Sequence, residues 1–410
     1  MTAVRTVAVR PVVAMVRMVR SPENMSKAVC CYGKCGKGAV LVIAGGEQRI
    51  RVHVRVRNGV PPAGLRIRQV LLPHRPGRVN MPDMNTNQSV EVIVIGGGAA
   101  GLSGALTLAR ARRSVMVIDS GEPRNAPASG VHGFLSRDGM PPRDLVARGQ
   151  EEVARYGGSV VPGRVVSAEH VDGLFEVTTE TGERYSARRL LVATGLTDEL
   201  PEVPGLAERW GRDVLHCPYC HGWEIRDQPL GVLGTGPMSV HQALLFRQWT
   251  SRITLFTADR VEVTDDQREQ LTARGVDVVE GAVAAIEVDK DRLTGIRLAS
   301  GRVVEVTAVA LSPRMRAGKV LSSLGLDPVE HPMGVGEHIE ADATGRTAVP
   351  GVWVAGNATD LAAQVVGAAA AGTVSAAAIN ADLVAEDTGI AVAALRRAQE
   401  GRERAESQGL

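Results

Sequence analysis

The chain has 410 residues and a net charge of +2, is 44% hydrophobic but only 3% aromatic, and contains 46 glycines. That composition is typical of a soluble α/β protein of about two domains. Five cysteines are too few for a disulfide framework, and no run of about 18 apolar residues is present, which argues against a disulfide-stapled secreted fold and against a membrane span. The reducing cytoplasm is therefore the expected location.

Residues 1–88 form a basic N-terminal extension. Twelve Arg and three Lys in residues 1–80 oppose two Glu, a net charge of +13, whereas the rest of the chain carries −11. Three interpretations are open: an Arg-rich targeting segment, a binding arm for an acidic surface, or translated sequence upstream of a true start at Met81 or Met84. We favour the third because the first strand of the fold begins only at Val90. The extension is thus expected to be disordered or non-native, and no nucleic-acid partner is expected.

The first regular pattern is a strand, a Gly-rich turn, a helix and a second strand. Val90–Ile95 is a short apolar run of the kind found in buried parallel strands. In the turn that follows, Gly96, Gly98 and Gly101 occupy the positions of G-x-G-x-x-G, which permit a tight turn, close approach of a pyrophosphate and close helix packing. Asp119 ends the second strand, where its carboxylate can accept hydrogen bonds from ribose hydroxyls. The unit predicts a dinucleotide site.

A second unit of the same kind lies further along the chain. Gly234, Gly236 and Ser239 form a G-x-G-x-x-S version of the same turn. Thr257 stands where a ribose-binding acid or a basic pair for a 2′-phosphate is expected, and Pro237 removes one backbone N–H from the turn. The pattern predicts a dinucleotide fold in which binding of a nicotinamide nucleotide is uncertain.

Together the two units predict an α/β protein with two Rossmann-like, three-layer ββα dinucleotide-binding domains, the second inserted into the first. The first domain is expected to comprise residues 89–202 and 313–387, and the inserted domain residues 203–312. Residues 388–410 are expected to form a charged, helical and solvated C-terminal tail.

The segment "HCPYCHGWE" begins at His216 and carries a Cys-x-x-Cys pair, Cys217 and Cys220. The pair can close a disulfide with little backbone movement, and a thiolate at a helix N-terminus has a lowered pKa. No cysteine follows Cys220, so a four-coordinate zinc site would need histidines, and no metal is expected. A structural disulfide of this short span would remove little chain entropy and would open in a reducing compartment. A redox role is therefore favoured.

From about Ser89 to about Asp387 the chain resembles the low-molecular-weight thioredoxin reductases. "GGGAAG", "LLVATG", the Cys pair and "VPGVWVAGNATD" follow that family's order. The resemblance implies FAD on the first unit, a nicotinamide-type domain inserted into it, and a homodimer. It also implies that Cys220 lies nearest the flavin ring and that Cys217 exchanges with the substrate.

The chain departs from the reductases at three places, and "CPYCHGWE" together with the weak nicotinamide site more closely resembles the FAD-dependent dithiol oxidases of the holomycin and gliotoxin type. His221 replaces the acid that usually follows the second cysteine, "TADR" replaces the basic cluster that holds the NADPH phosphate, and Gly356-Asn357 replaces Gly-Asp. The resemblance implies oxidation of a small-molecule dithiol to a disulfide, with electrons passing to O2. The alternatives are an NADPH-dependent reductase of a thioredoxin-like protein and a non-enzymatic flavin redox sensor.

The predicted functional residues fall into three groups. Cys217 and Cys220 are the redox pair, with His221 as the first candidate for the acid/base group and His216 as the second. The predicted FAD-binding residues are Gly96, Gly98, Gly101, Asp119, Arg124, Asn125, His132, Ala193, Thr194, Gly195, Gly356, Asn357, Asp360 and Gln364. NADPH, if it is used, would bind at Gly234, Gly236 and Ser239.

Overall fold

A computed structural model describes residues 88–407 continuously, with side chains from 89 to 400. Before residue 88 it describes five short strands: β1 (Arg5–Val9), β2 (Val12–Val16), β3 (Lys27–Cys30), β4 (Ala39–Ala44) and β5 (Arg51–Val56). β1 pairs with β2, and β3, β4 and β5 form an antiparallel sheet, within a unit of residues 1–84. The candidate starts Met81 and Met84 lie outside the described residues, so the origin of the extension stays a prediction.

Residues 85–410 form the second unit, which contains all the remaining elements. Its helices are α1 (Ala99–Arg110), α2 (Pro142–Arg155), α3 (Pro218–His221), α4 (Ser239–Phe246), α5 (Asp265–Ala273) and α6 (Val365–Ser407). Its strands are β6 (Gln88–Ile95), β7 (Val115–Asp119), β8 (Ser159–Pro162), β9 (Val165–Val171), β10 (Leu174–Thr179), β11 (Arg184–Val192), β12 (Leu196–Glu199), β13 (Val214–Leu215), β14 (Leu230–Leu233), β15 (Ile253–Phe256), β16 (Val276–Val279), β17 (Val283–Asp289), β18 (Arg292–Leu298), β19 (Val303–Val304), β20 (Ala308–Ala310), β21 (Arg314–Ala317), β22 (Val329–Glu330), β23 (Glu337–His338) and β24 (Val352–Val354).

The first domain is built on one sheet with the order β8-β7-β6-β11-β10-β9, and β24 pairs with β11. β8, β7, β6, β11 and β24 run parallel, whereas β9, β10 and β11 form an antiparallel meander. Val92 and Val94 pack with α1 and α6 on one face, and Ile93 and Ile95 pack with β9 and β10 on the other. Both faces of β6 are covered, which is why its sequence is a continuous apolar run.

The inserted domain repeats this plan. Its parallel sheet has the order β13-β20-β14-β15-β16. Leu230 and Val232 pack with α4 and α5 on one face, while Leu233 packs with Ile286 and Ile296 of the antiparallel β17-β18-β19 layer on the other. Each domain thus places a parallel sheet between helices and an antiparallel layer, and the predicted fold class is confirmed.

Two chain segments connect the domains. β12 leads into the inserted domain and β21 leads out of it, and the two strands pair antiparallel along their whole length. This two-stranded ribbon lies close to residues 202 and 313, the predicted domain boundaries. The exact boundaries stay a prediction.

The C-terminal helix α6 is longer than predicted. It runs without a break through residues expected to form a separate tail after Asp387. Within the described part of the chain, Val365–Glu400 meets the length and composition criterion for a membrane span, because one 18-residue window of it has a mean hydropathy of 1.3. Core helices of soluble proteins also meet this criterion. Ala376, Ile379 and Leu383 are fully buried in the cluster that includes α1. We therefore interpret the first half of α6 as a core helix of the first domain.

Candidate active site

A cavity of about 930 Å³ is lined by residues of both domains. The predicted residues that line it are Gly96, Gly98, Asp119, Arg124, Asn125, His132, Ala193, Thr194, Gly195, His216, Cys217, Cys220, His221, Gly356, Asn357 and Gln364. The predicted residues that do not line it are Gly101, Asp360, Gly234, Gly236 and Ser239. The fold thus brings the first glycine loop and the cysteine pair together, whereas of the second glycine loop Met238 lines the cavity and the three predicted residues do not.

The first glycine loop leaves open space where a phosphate could approach. Gly96 has a φ of +102°, and a Cβ on it would lie 2.4 Å from the carbonyl oxygen of Ala193. A Cβ on Gly101 would lie 1.8 Å from the carbonyl oxygen of Gly96, so this glycine allows close packing of helix and strand. Around Gly98, in contrast, no atom lies within 4 Å of the Cβ position. α1 begins there without a side-chain cap and without an acidic residue in its first turn, so its N–H groups suit a pyrophosphate.

Asp119 is fixed by the same loop. Its Oδ1 accepts a hydrogen bond from the backbone N–H of Gly97 at 2.8 Å. A Cβ on Gly97 would lie 2.6 Å from the Asp119 Cγ atom, so residue 97 must also be glycine. Gly97 is not among the residues predicted from the sequence, although the run of three glycines was an available signal. Asp119 therefore stands at the cavity wall in a fixed position suited to a ribose hydroxyl.

The second glycine loop differs in how its N–H groups are used. The Ser239 hydroxyl oxygen accepts hydrogen bonds from the N–H groups of Thr235 and Gly236 at 3.1 and 3.3 Å. The N–H of Ser239 donates to the carbonyl of Gly236, and Pro237 has no N–H. The turn that would face a pyrophosphate is therefore largely satisfied by its own atoms.

The cysteine pair lies on the short helix α3. Cys217 is the residue before the helix and Pro218 is its first residue, a position at which proline favours helix initiation. Cys217 and Cys220 form a disulfide with a Cα–Cα distance of 5.2 Å. Gly222 follows, and a Cβ on it would lie 2.7 Å from the Trp249 ring. Close packing against Trp249 thus fixes the end of the redox segment.

His221, the first candidate for the acid/base group, follows Cys220 directly in the chain and lines the cavity. Both ring nitrogens are buried without a hydrogen-bond partner among the described residues. Burial lowers the pKa of His221, and the neighbouring His132 and His216 act in the same direction. Glu224 opposes the shift by raising the pKa. The net effect favours a neutral imidazole, which can accept a proton from a thiol.

His216, the second candidate, is anchored to the inserted domain. Its Nδ1 lies 3.1 Å from the carbonyl oxygen of Leu311, so Nδ1–H donates to that oxygen. Burial lowers the pKa of His216, and the Leu311 hydrogen bond opposes this. Its backbone carbonyl also accepts a hydrogen bond from the Gln242 amide at 2.9 Å. In His216 only Nε2 is therefore left for proton transfer, whereas in His221 both ring nitrogens lack a hydrogen-bond partner among the described residues.

His132 reaches the redox segment from the first domain. It lies in the loop between β7 and α2, with Nδ1 3.4 Å from Asp138 Oδ2 and Nε2 3.6 Å from Glu224 Oε1. Glu224 is not among the residues predicted from the sequence, because its segment and the His132 loop meet only in the folded chain.

Two residues predicted to contact the flavin, Asn357 and Asp360, form hydrogen bonds with backbone groups of the protein. The Asn357 side-chain nitrogen donates to the carbonyls of Asp360 and Ala363 at 3.0 and 2.9 Å, so its Oδ1 remains for a ribityl hydroxyl. Asp360 Oδ1 accepts from the N–H of Ala362 at 3.0 Å. That turn explains why Asp360 does not reach the cavity wall.

Arg124 is likewise held by a protein group. Its guanidinium donates to both carboxylate oxygens of Asp198, at 3.0 and 2.5 Å. Asp198 lies on β12, at the start of the ribbon between the domains. The pair fixes Arg124 at the cavity wall, and contact of Arg124 and Asn125 with FAD stays a prediction.

Comparison with known proteins gives consistent matches. The family model "Pyridine nucleotide-disulphide oxidoreductase" matches residues 90–376. The crystal structure of HlmI is similar to 75% of this chain and 97% of its own, with 47% identity and a TM-score of 0.71. An oxidoreductase from Agrobacterium tumefaciens is similar over 72% and 99%, with 38% identity and a TM-score of 0.68.

A curated relative of similar extent is thioredoxin reductase sirT from Leptosphaeria maculans. It is 31% identical over 311 residues, which are 71% of this chain and 93% of the relative. Two other curated relatives, 37% and 38% identical, are matched over only 40% and 57% of their own length.

Proposed function

Because this chain belongs to the pyridine nucleotide-disulphide oxidoreductase family, whose thioredoxin reductase-like members are FAD-dependent enzymes, we propose that it oxidises a small-molecule dithiol to a disulfide with O2 as electron acceptor. The observation that carries the proposal is the position of Cys217 and Cys220. The pair lines the same cavity as the open glycine loop at Gly98. A dithiol that reacts with the pair therefore reacts beside the predicted flavin site.

The exchange begins when a substrate thiolate attacks Sγ of Cys217. The bond between Cys217 and Cys220 breaks, and Cys220 leaves as a thiolate. The second substrate thiol, once deprotonated, displaces Cys217 and the substrate leaves as a disulfide. Two electrons have then passed from the substrate to the cysteine pair. When bound, FAD supplies the two-electron chemistry that reoxidises the pair and reduces O2 to peroxide.

His221 acts as the base for the thiols. Each displacement requires a thiolate, since the thiol itself is a poor nucleophile. His221 follows Cys220 directly in the chain and lines the same cavity. Its neutral ring has no hydrogen-bond partner among the described residues, so it is free to take a proton from the incoming thiol. It returns that proton when a protein thiol is formed.

The second glycine loop supports an oxidase rather than an NADPH-dependent reductase. Ser239 occupies two N–H groups of the turn that would face a pyrophosphate. Thr257, at the end of β15, is buried with 6% exposure and offers no charge to a 2′-phosphate or a ribose. The reductase remains the alternative, because several relatives carry the name thioredoxin reductase.

Two further features belong to the proposal. We expect a homodimer, which size-exclusion chromatography with light scattering would detect. We also expect a reducing cytoplasmic location, where a substrate dithiol would be present in its reduced form.

Anaerobic mixing tests the proposal directly. The full chain, loaded with FAD, is mixed with excess dithiothreitol or with excess NADPH, and flavin absorbance is followed. We expect bleaching by dithiothreitol but not by NADPH, with recovery of colour and formation of peroxide when air is admitted. The flavin of the Cys217→Ser variant should be bleached by dithiothreitol more slowly than that of the parent protein. Rapid bleaching by NADPH would contradict the oxidase and favour the reductase.

A further inference from the structure

Glu224 joins the redox segment to the first domain. It lies four residues after Cys220, and its backbone N–H donates to the carbonyl of His221 at 3.2 Å. Its carboxylate is 3.6 Å from His132 Nε2, on the loop between β7 and α2. The exposed fractions of the two side chains, 24% for His132 and 39% for Glu224, place the contact at the edge of the cavity. The contact is an ion pair when His132 is protonated and a polar contact otherwise.

The same loop touches the inserted domain at a second place. Gly211 has a φ of +79°, and a Cβ on it would lie 2.5 Å from the Cβ of Pro127. The backbone of the inserted domain therefore approaches this loop as closely as a glycine permits. Two separated contacts, at Pro127 and at His132, resist a sliding or rotating movement better than one contact would.

His132 is itself held in place from its other side. Its Nδ1 faces Asp138, whose carboxylate also accepts a hydrogen bond from the N–H of Gly133 at 2.9 Å. The imidazole thus lies between a carboxylate of its own loop and a carboxylate of the redox segment. This arrangement orients Nε2 towards Glu224.

We propose that Glu224 is a positioning residue that, through His132, holds the cysteine helix α3 against the flavin cavity. The inference rests on the proposed function, because it concerns electron transfer from the cysteine pair to the flavin. With the contact in place, Cys220 and His221 stay at the cavity wall throughout turnover, and the inserted domain need not rotate between the two half-reactions.

Glu224→Gln tests the inference, with Glu269→Gln on the exposed face of α5 as the matched control. In FAD-loaded full-length protein mixed anaerobically with dithiothreitol, two rates are measured: release of cysteine thiols, by quenched alkylation, and bleaching of flavin. Glu224→Gln should leave thiol release unchanged and slow bleaching about two- to fivefold, the range of a partly exposed ion pair. Hydrogen exchange of residues 131–140 and 217–226 should become faster in this variant. Glu269→Gln should match the parent in both measurements.

Pairing with His132 is tested by a double-mutant cycle. In a His132→Gln background, Glu224→Gln should slow bleaching no further, because the partner is already absent. Independent, additive slowing would overturn the pairing, and unchanged bleaching with unchanged hydrogen exchange in Glu224→Gln would overturn the positioning role. Failure of the proposed function gives a different result, since the parent protein would then not be bleached by the dithiol at all.

Discussion

Replacing Gly98 with alanine should weaken FAD binding without weakening the fold. Gly98 has a φ of −77° and a ψ of −169°, a conformation that alanine adopts without strain. Apart from its two neighbours in the chain, no residue places an atom within 4 Å of the position that the new Cβ would occupy. Alanine should therefore leave the apoprotein folded and change its free energy of unfolding by no more than about 1 kcal/mol, because the reduced entropy of the unfolded chain and the lower preference for alanine at an N-cap act in opposite directions.

The substitution should lower the affinity for FAD, although it leaves the apoprotein folded. The added methyl group fills the space through which the pyrophosphate would approach the N–H groups at the start of α1. A hydrogen bond to a charged group contributes about 1.5–3 kcal/mol, so loss of one such bond raises the Kd for FAD about 10- to 150-fold.

FAD titration of the apoprotein, followed by flavin fluorescence, measures the Kd, and urea unfolding of the apoprotein measures its stability. Two further variants serve as controls for Gly98→Ala. Gly97→Ala should lose both stability and FAD affinity, because its Cβ would collide with the Asp119 carboxyl group. Gly389 lies on an exposed turn of α6, and no contact is present within 4 Å of the position of an added Cβ. Gly389→Ala should therefore leave the affinity for FAD unchanged. Unaltered FAD affinity in Gly98→Ala would refute the assignment of this loop to the pyrophosphate.

Two other variants probe the proton-transfer group and the second glycine loop. Because burial lowers the pKa of His221, its basic form should persist below the ordinary pKa of histidine, and kcat/KM for a dithiol should fall only when the pH drops through that lowered pKa. His221→Asn should lose that limb of the pH profile and about 100-fold in rate, and an unchanged profile would assign the base to another group. Ser239→Ala leaves the N–H groups of Thr235 and Gly236 without their acceptor, so we expect a loss of about 1–3 kcal/mol in the free energy of unfolding. NADPH should then raise the melting temperature of this variant but not of the parent, and equal effects on both would show that Ser239 does not close the turn.

The parts of the site that the sequence predicted are those specified by local patterns. The G-x-G-x-x-G spacing and the strand that ends at Asp119 identify the first loop because a close backbone approach requires glycine at Gly96 and Gly101, and Gly98 leaves open space for a ligand. The fold class followed from the same repeated pattern of strand, turn and helix.

Two kinds of feature of the site could not be predicted from the sequence. One is the direction in which a side chain points, and the other is a contact between segments that are far apart in the chain. Asp360 and Asn357 are equally polar and three residues apart, yet only Asn357 lines the cavity, since the Asp360 carboxylate caps the N–H of Ala362. The contacts of Arg124 with Asp198 and of His132 with Glu224 join segments far apart in the chain. No local pattern encodes such contacts.

Electron balance connects the two glycine loops to the choice of acceptor. In the proposed reaction each dithiol delivers two electrons to Cys217 and Cys220, and these electrons leave through the flavin before the next turnover. In the inserted domain the nucleotide turn is occupied by Ser239, so a nicotinamide nucleotide is poorly placed to donate electrons or to accept them. The acceptor that we propose is therefore a molecule small enough to reach the flavin with α3 in place, a requirement that O2 meets. One peroxide should therefore form for each dithiol oxidised, measured with an oxygen electrode before and after addition of catalase. A yield well below this, with turnover sustained under argon, would identify a different acceptor.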